Sequence, residues 1–130
     1  MKRILLVDDN TDLLFVLRAE LERKGFDVVT STGCNDILNM VGEYQPDLLI
    51  LDIHLGAIDG RIFCRQLKST ASFSHIPVIL ISADVDASRD YSLFGASAFL
   101  RKPFGLALFV SLAQSLILLD DSSLEFQQTA

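Results

Sequence analysis

The chain has 130 residues, 11 Lys plus Arg against 17 Asp plus Glu, and 50% hydrophobic residues, with a mean hydropathy of +0.38. At roughly 100 to 200 residues per domain this is one domain, large enough to close a core without disulfides or metals. A formal net charge of −6 and a pI near 4.7 argue against a DNA reader or a basic membrane binder, because both bind through clustered Lys and Arg.

In chain order, short β-rich apolar runs alternate with stretches of helical spacing. The sequence predicts strands at Ile4–Val7, Asp27–Thr30, Leu48–Leu51, Val78–Ile81 and Ala98–Leu100. It predicts helices at Asp12–Lys24, Asn35–Glu43, Gly60–Leu67, Ser88–Phe94 and Leu106–Leu119. Gly25 and Gly95 stop their helices, and Pro46 and Pro77 precede their strands. Such alternation is the mark of βαβ units and a parallel, doubly wound α/β sheet. The first, third and fourth strands are apolar throughout, as strands covered on both faces are, whereas the second and fifth suit edges. Residues 1–119 form the domain, and Asp120–Ala130 reads as a polar tail.

The apolar start, Met1–Val7, is too short for a signal peptide. Leu106–Leu119 spans 14 residues and carries Ser111, Gln114 and Ser115, against the 20 or so residues of a membrane span. Cys34 and Cys64 lie in apolar sequence without Cys-x-x-Cys or His-rich spacing, so neither a disulfide framework nor a zinc site is indicated. A reducing, cytoplasmic compartment is expected.

Doubly wound sheets place their sites at the carboxyl ends of the strands. Strand one ends in Asp8 and Asp9, strand three in Asp52 and strand four in Ser82, while strand five runs into Lys102 and Pro103. Singly, each is an ordinary cap or turn residue. Together they are harder to dismiss: two unit charges about 4 Å apart repel by about 4 kcal/mol at an effective dielectric of 20, so three carboxylates in one crevice call for a cation. Oxygen ligands in this number suit Mg²⁺. A carboxylate can attack an activated phosphorus beside such a metal to give an aspartyl phosphate. Asp52 on the central strand is the natural nucleophile, with Asp8 and Asp9 as metal ligands and Lys102 and Ser82 as phosphoryl contacts. Without phosphate, Lys102 is expected to pair with Asp52.

These residues, with the Asp59-Gly60 pair, Ser82-Ala83 and Lys102-Pro103-Phe104, resemble the receiver domain of two-component response regulators over about Lys2 to Leu119. The resemblance implies a flavodoxin-like five-stranded sheet of order 2-1-3-4-5 with five helices. It implies that Asp52 takes a phosphoryl group from a phosphohistidine on a kinase or phosphotransfer protein. Asp9 and Asp52 would ligate Mg²⁺ directly, Asp8 directly or through water, and the His54 backbone carbonyl would complete the protein ligands. Ser82 and Phe99 occupy the switch positions, and the surface of the fourth helix, fifth strand and fifth helix is the usual readout. His54 and Asp84 stand where the family tunes phosphoryl lifetime.

Three departures stand out. Gly56 replaces a usual proline and suggests a more mobile loop, and Phe99 replaces the commoner tyrosine. The fifth helix has only a narrow polar stripe, so some of its apolar surface needs another cover: a fold-back through Leu124 and Phe126, a downstream protein, or a homodimer. His75 reads as a plain loop residue. A receiver-like scaffold that signals by binding alone is the main rival. A haloacid dehalogenase-type phosphatase needs an Asp-x-Asp that Asp8-Asp9 does not supply, and a flavodoxin-like phosphate cradle would be repelled by the same pair. Nothing after Leu119 is long enough for an output domain, which leaves a stand-alone receiver or a piece of a longer regulator.

Overall fold

The structure, a computed structural model, describes residues 1–33 and 36–129, with side-chain surroundings to Leu118. Cys34 and Asn35, which the sequence reading places in a loop and at a helix start, lie outside the described residues.

Strands β1 (Arg3–Val7), β2 (Asp27–Ser31), β3 (Leu48–Asp52), β6 (Val78–Ser82) and β7 (Ala98–Arg101) form one parallel sheet in the order β2-β1-β3-β6-β7. With the sheet strands counted alone this is the expected 2-1-3-4-5, with the second and fifth strands on the edges as expected. A small antiparallel hairpin, β4 (His54–Leu55) and β5 (Ile58–Asp59), stands apart from it.

The period of two in a strand sorts the core onto two faces. Ile4, Leu6, Leu48, Ile50, Ile79 and Ile81 point to one side. They meet Leu14, Leu17 and Leu21 of α1 (Thr11–Arg23) and Phe109, Val110, Ala113 and Ile117 of α4 (Leu106–Thr129). Leu5, Val7, Leu49, Leu51, Val78 and Leu80 point to the other. There Ile37 and Val41 of α2 (Ile37–Tyr44) and Cys64 and Leu67 of α3 (Gly60–Ser69) cover them. Cys64 is a free thiol, fully buried, and burial pushes its pKa up to about 11.

The caps follow from residue chemistry. Asn10 Oδ1 accepts the Leu13 N–H at 3.1 Å at the start of α1, and Asp59 Oδ1 accepts the Arg61 N–H at 2.9 Å at the start of α3. At the end of α2 the Tyr44 hydroxyl donates to the Asp27 carbonyl at 2.8 Å. Burial, helped by the charge and hydrogen-bonding of the Asp27 carboxylate, pushes the phenol up to about 12. A group whose folded pKa exceeds its unfolded value of about 10 contributes stability that is complete below that pH and lost above it. Urea unfolding is therefore expected to show a loss of stability between pH 10 and about 12 that is reduced in Tyr44→Phe; an unchanged alkaline limb would contradict it.

Two predicted helices need correction. The predicted helix Ser88–Phe94 is instead two single 3₁₀ turns, Val85–Ser88 and Tyr91–Phe94, so the described chain has four α-helices. Asp84, Asp86, Ser88, Asp90 and Ser92 punctuate this stretch. Such side chains compete for backbone groups that a helix needs: Asp84 Oδ1 accepts the Asp86 N–H at 3.0 Å, and Ser88 Oγ donates to the Val85 carbonyl at 2.9 Å. Second, the helical backbone of α4 runs past the predicted end at Leu119 to Thr129. Gly56, read from the sequence as a flexible turn or a more mobile loop, has a defined conformational role. Its φ of +61° makes it the first corner of the two-residue turn joining β4 to β5, a conformation of the II′ kind that glycine favours and proline cannot adopt.

On α4 the apolar excess is real. Leu108 is 59% exposed and Leu118 65%. Leu124 and Phe126 lie beyond the described side chains.

Candidate phosphoryl and metal site

The strand-end residues singled out in the sequence all lie at the carboxyl end of the sheet. Asp8 follows β1 directly and is fully buried; Asp52, the last residue of β3, is 4% exposed; Asp9, next after Asp8, is exposed. Carboxylate oxygens of the three lie within 4.8 Å of one another, the one such acidic group among the described residues. Backbone donors hold two of them: the Asn10 N–H reaches Asp8 Oδ1 at 2.8 Å, and the His54 N–H reaches Asp52 Oδ1 at 3.1 Å.

Lys102, just past β7, brings its Nζ to 3.1 Å from Asp52 Oδ2 and 2.8 Å from Asp8 Oδ2. The expected pairing with Asp52 is thus present and Asp8 shares it. The contact to Asp8 is an ion pair without good hydrogen-bond direction, since Asp8 Oδ2 makes no hydrogen bond. Burial raises the Asp52 pKa, opposed by the His54 N–H, reinforced by the Asp8 charge and opposed again by Lys102; the net shift is upward. Burial works against the Lys102 charge, but Asp8 and Asp52 outweigh it and its pKa is raised. One cation therefore serves two buried carboxylates while a third stands close by. This leaves an acidic excess suited to an oxygen-seeking divalent ion, so the donor set fits Mg²⁺.

Ser82, fully buried at the end of β6, accepts the Asp84 N–H on its Oγ at 3.0 Å. Asp84 in turn caps the first 3₁₀ turn, a structural task alongside the tuning role suggested by its position. His54 is exposed at the start of β4, and exposed His75 lines a separate surface cleft with Pro46 and Phe73. Phe99 in β7 is half-buried and stacks on Tyr91, ring centroids 6.2 Å apart. A cleft of about 380 Å³, lined by Asn10, Leu13, Ala83, Lys102 and Phe104 among others, borders the carboxylates.

The family model of the response regulator receiver domain matches residues 4–114. The chain belongs to that family. It is 34% identical over 119 residues to the uncharacterized transcriptional regulatory protein YvcP of Bacillus subtilis (strain 168), covering 90% of this chain and 49% of that protein. It is 36% identical over 116 residues to the response regulator PleD of Caulobacter vibrioides (strain NA1000 / CB15N), covering 88% of this chain and 26% of that one. The chain therefore spans half or less of these relatives. Among solved structures, a response regulator from Chloroflexus aurantiacus J-10-fl superposes with a TM-score of 0.83 at 24% identity, over 89% of this chain and 97% of that one. NtrX from Brucella abortus superposes with a TM-score of 0.88 at 24% identity, over 100% of this chain and 30% of that one. These two likenesses establish the fold.

This is a signalling domain of two-component systems. Receiver domains bind Mg²⁺ through acidic residues, and response regulators interact with histidine kinases. No helix among the described residues is long and apolar enough to cross a membrane.

Two features escaped sequence reasoning. Gly60 was visible as part of an Asp-Gly pair, but the reason for it was not: a Cβ there would stand 2.4 Å from the Asp52 carbonyl oxygen. Arg61 gave no signal, yet it pairs with Asp59 through Nε at 3.2 Å and Nη2 at 3.0 Å.

Proposed function

We propose that this receiver domain accepts a phosphoryl group on Asp52 from a phosphohistidine of a kinase or phosphotransfer protein. The observation that carries the reading is the buried Asp52 carboxylate, at the end of the central strand, grouped with Asp8 and Asp9 and paired to Lys102. Asp52 Oδ attacks phosphorus, the P–N bond of the donor breaks, and the departing imidazole keeps its electron pair and takes up a proton. Asp9, Asp52, the His54 carbonyl and Asp8, directly or through water, would hold Mg²⁺, which supplies positive charge to the phosphoryl oxygens. Lys102 leaves Asp52 for a phosphoryl oxygen. Ser82 gives up the Asp84 N–H and donates its hydroxyl to another, and Phe99 turns inward behind it. His54 and Asp84, beside the site, set how readily water reaches the phosphorus. In this reading the domain works in the cytoplasm, binds no nucleic acid itself, and passes the signal through the 3₁₀ turns, β7 and α4.

Incubation with Mg²⁺ and a small acyl phosphate, followed by intact mass, is expected to add one phosphoryl group, and excess EDTA to prevent it. Failure to label in Mg²⁺ would favour a receiver-like scaffold that signals by binding alone.

The exposed Leu108 and Leu118 on α4 fit a protein partner, a second copy or a downstream protein. Light scattering is expected to show a doubled mass when a phosphoryl mimic is bound. A monomer mass both with and without the mimic would exclude the homodimer.

A further inference from the structure

The segment between Ser82 and Gly95 has little to hold itself in place. Its two 3₁₀ turns are single, Val85 is 52% exposed and Leu93 76%, and Ala87 is its one fully buried side chain. Besides buried Ala87 and the Tyr91–Phe99 stack, a pair of arginines one turn apart on α3 fastens it. The Arg61 guanidinium lies 5.5 Å, and that of Arg65 4.4 Å, from the centroid of the Phe94 ring. Arg61 is itself fixed by the two-point contact to Asp59, and such a fork loses little freedom when it also lies against a ring.

These contacts join two parts of the proposed switch. Asp59 ends the hairpin that follows Asp52, and the Gly60 N–H donates to the Ile53 carbonyl at 2.7 Å, tying that hairpin back beside Asp52. At the other end, Phe94 shares its turn with Tyr91, whose ring stacks on Phe99. If Phe99 turns inward Tyr91 must follow, and a single turn cannot carry Tyr91 away while leaving Phe94 under both guanidiniums.

We propose that Arg61, Arg65 and Phe94 form a latch that holds the 3₁₀ segment against α3 in the phosphoryl-free protein and opposes its rearrangement. Arg61 is a positioning residue in this device, touching neither metal nor phosphoryl group. The inference rests on the phosphoacceptor reading for its consequence, though not for the existence of the latch. Its direction separates it from a simple charge effect: loss of a cation near the site should weaken binding of an anionic phosphoryl mimic, whereas loss of a latch should strengthen it.

The test compares the parent with Arg61→Ala, Arg61→Lys, Phe94→Leu and the Arg61→Ala/Phe94→Leu double variant, each checked for folding by urea unfolding. Amide exchange of residues 85–94 is measured without mimic, and affinity for beryllofluoride with Mg²⁺ by titration. Each single Ala or Leu variant is expected to speed exchange and tighten beryllofluoride binding about two- to fivefold, the range an exposed cation–π contact corresponds to. Phe94→Leu removes both guanidinium contacts, whereas Arg61→Ala leaves that of Arg65 at 4.4 Å, so the double variant should exceed Arg61→Ala but gain little beyond Phe94→Leu. Arg61→Lys, which keeps the charge but not the planar fork, should fall between. Unchanged exchange, additive effects, or weaker binding in Arg61→Ala would overturn the latch. If the parent and all variants ignore beryllofluoride, the phosphoacceptor reading fails, and exchange alone then decides whether the latch exists.

Discussion

Asp52→Asn is expected to abolish phosphoryl labelling while leaving the fold intact. Asparagine has nearly the shape of aspartate but no oxygen nucleophile, so the one carboxylate on the central strand is lost without loss of volume. Stability should move little, because two changes oppose each other. The variant gives up the 3.1 Å ion pair with Lys102, and it also removes a buried charge whose burial is the main cause of the raised Asp52 pKa. Lys102 keeps Asp8 as a partner at 2.8 Å. Intact mass after incubation with Mg²⁺ and acyl phosphate reads the first point, and the urea midpoint reads the second. Equal labelling of variant and parent would place the acceptor elsewhere, with the neighbouring Asp8 and Asp9 next to be examined.

Gly60→Ala tests how tightly the loop after Asp52 is built. A methyl group at this position meets the Asp52 carbonyl oxygen at 2.4 Å and the Ile53 Cα at 3.0 Å, and both are backbone atoms with no side-chain freedom to yield. The backbone carrying the acceptor must therefore shift. Overpacking of this kind costs about 1 to 3 kcal/mol. Displacing a reacting group by about 1 Å can slow a reaction by as much as about a hundredfold, so labelling should fall by at least about tenfold. Gly25→Ala is the control. Gly25 has a φ of +94° but nothing within 4 Å of an added Cβ, so about 1 kcal/mol of backbone strain is expected with an unchanged labelling rate. Equal labelling in Gly60→Ala and the parent would show that the acceptor tolerates movement of its loop.

The sheet and the site could be read from the sequence for one reason: the chain announces where a buried strand ends. Leu48–Leu51 and Val78–Ile81 are unbroken apolar runs, so Asp52 and Ser82 stand out as the first polar residues after them. Helix Ser88–Phe94 could not be read correctly, because its apolar spacing suggested a helix while its aspartates and serines took up the backbone groups a helix would use. The polar cluster Asp120–Ser123 looked like the end of α4, yet helical backbone continues through it. The close approach at Gly60 and the stacking of Arg61 and Arg65 on Phe94 are products of tertiary folding: residues 61 and 94 are neighbours only because α3 and the 3₁₀ segment lie on the same face of the sheet.

That division into two faces has a bearing on how a signal could cross the domain. Phe99 packs with the side of the sheet that holds α2, α3 and the 3₁₀ turns, whereas Ala98 and Leu100 on either side of it pack with α1 and α4. The edge strand β7 is thus a party wall, with the Phe99 ring in one room and the long helix in the other. Phe99 can change its pose without loosening a single apolar anchor of α4. If α4 answers to Phe99, as in the proposed switch, the change would travel through the backbone of four residues, Ala98–Arg101, or around the end of the wall where Lys102 sits.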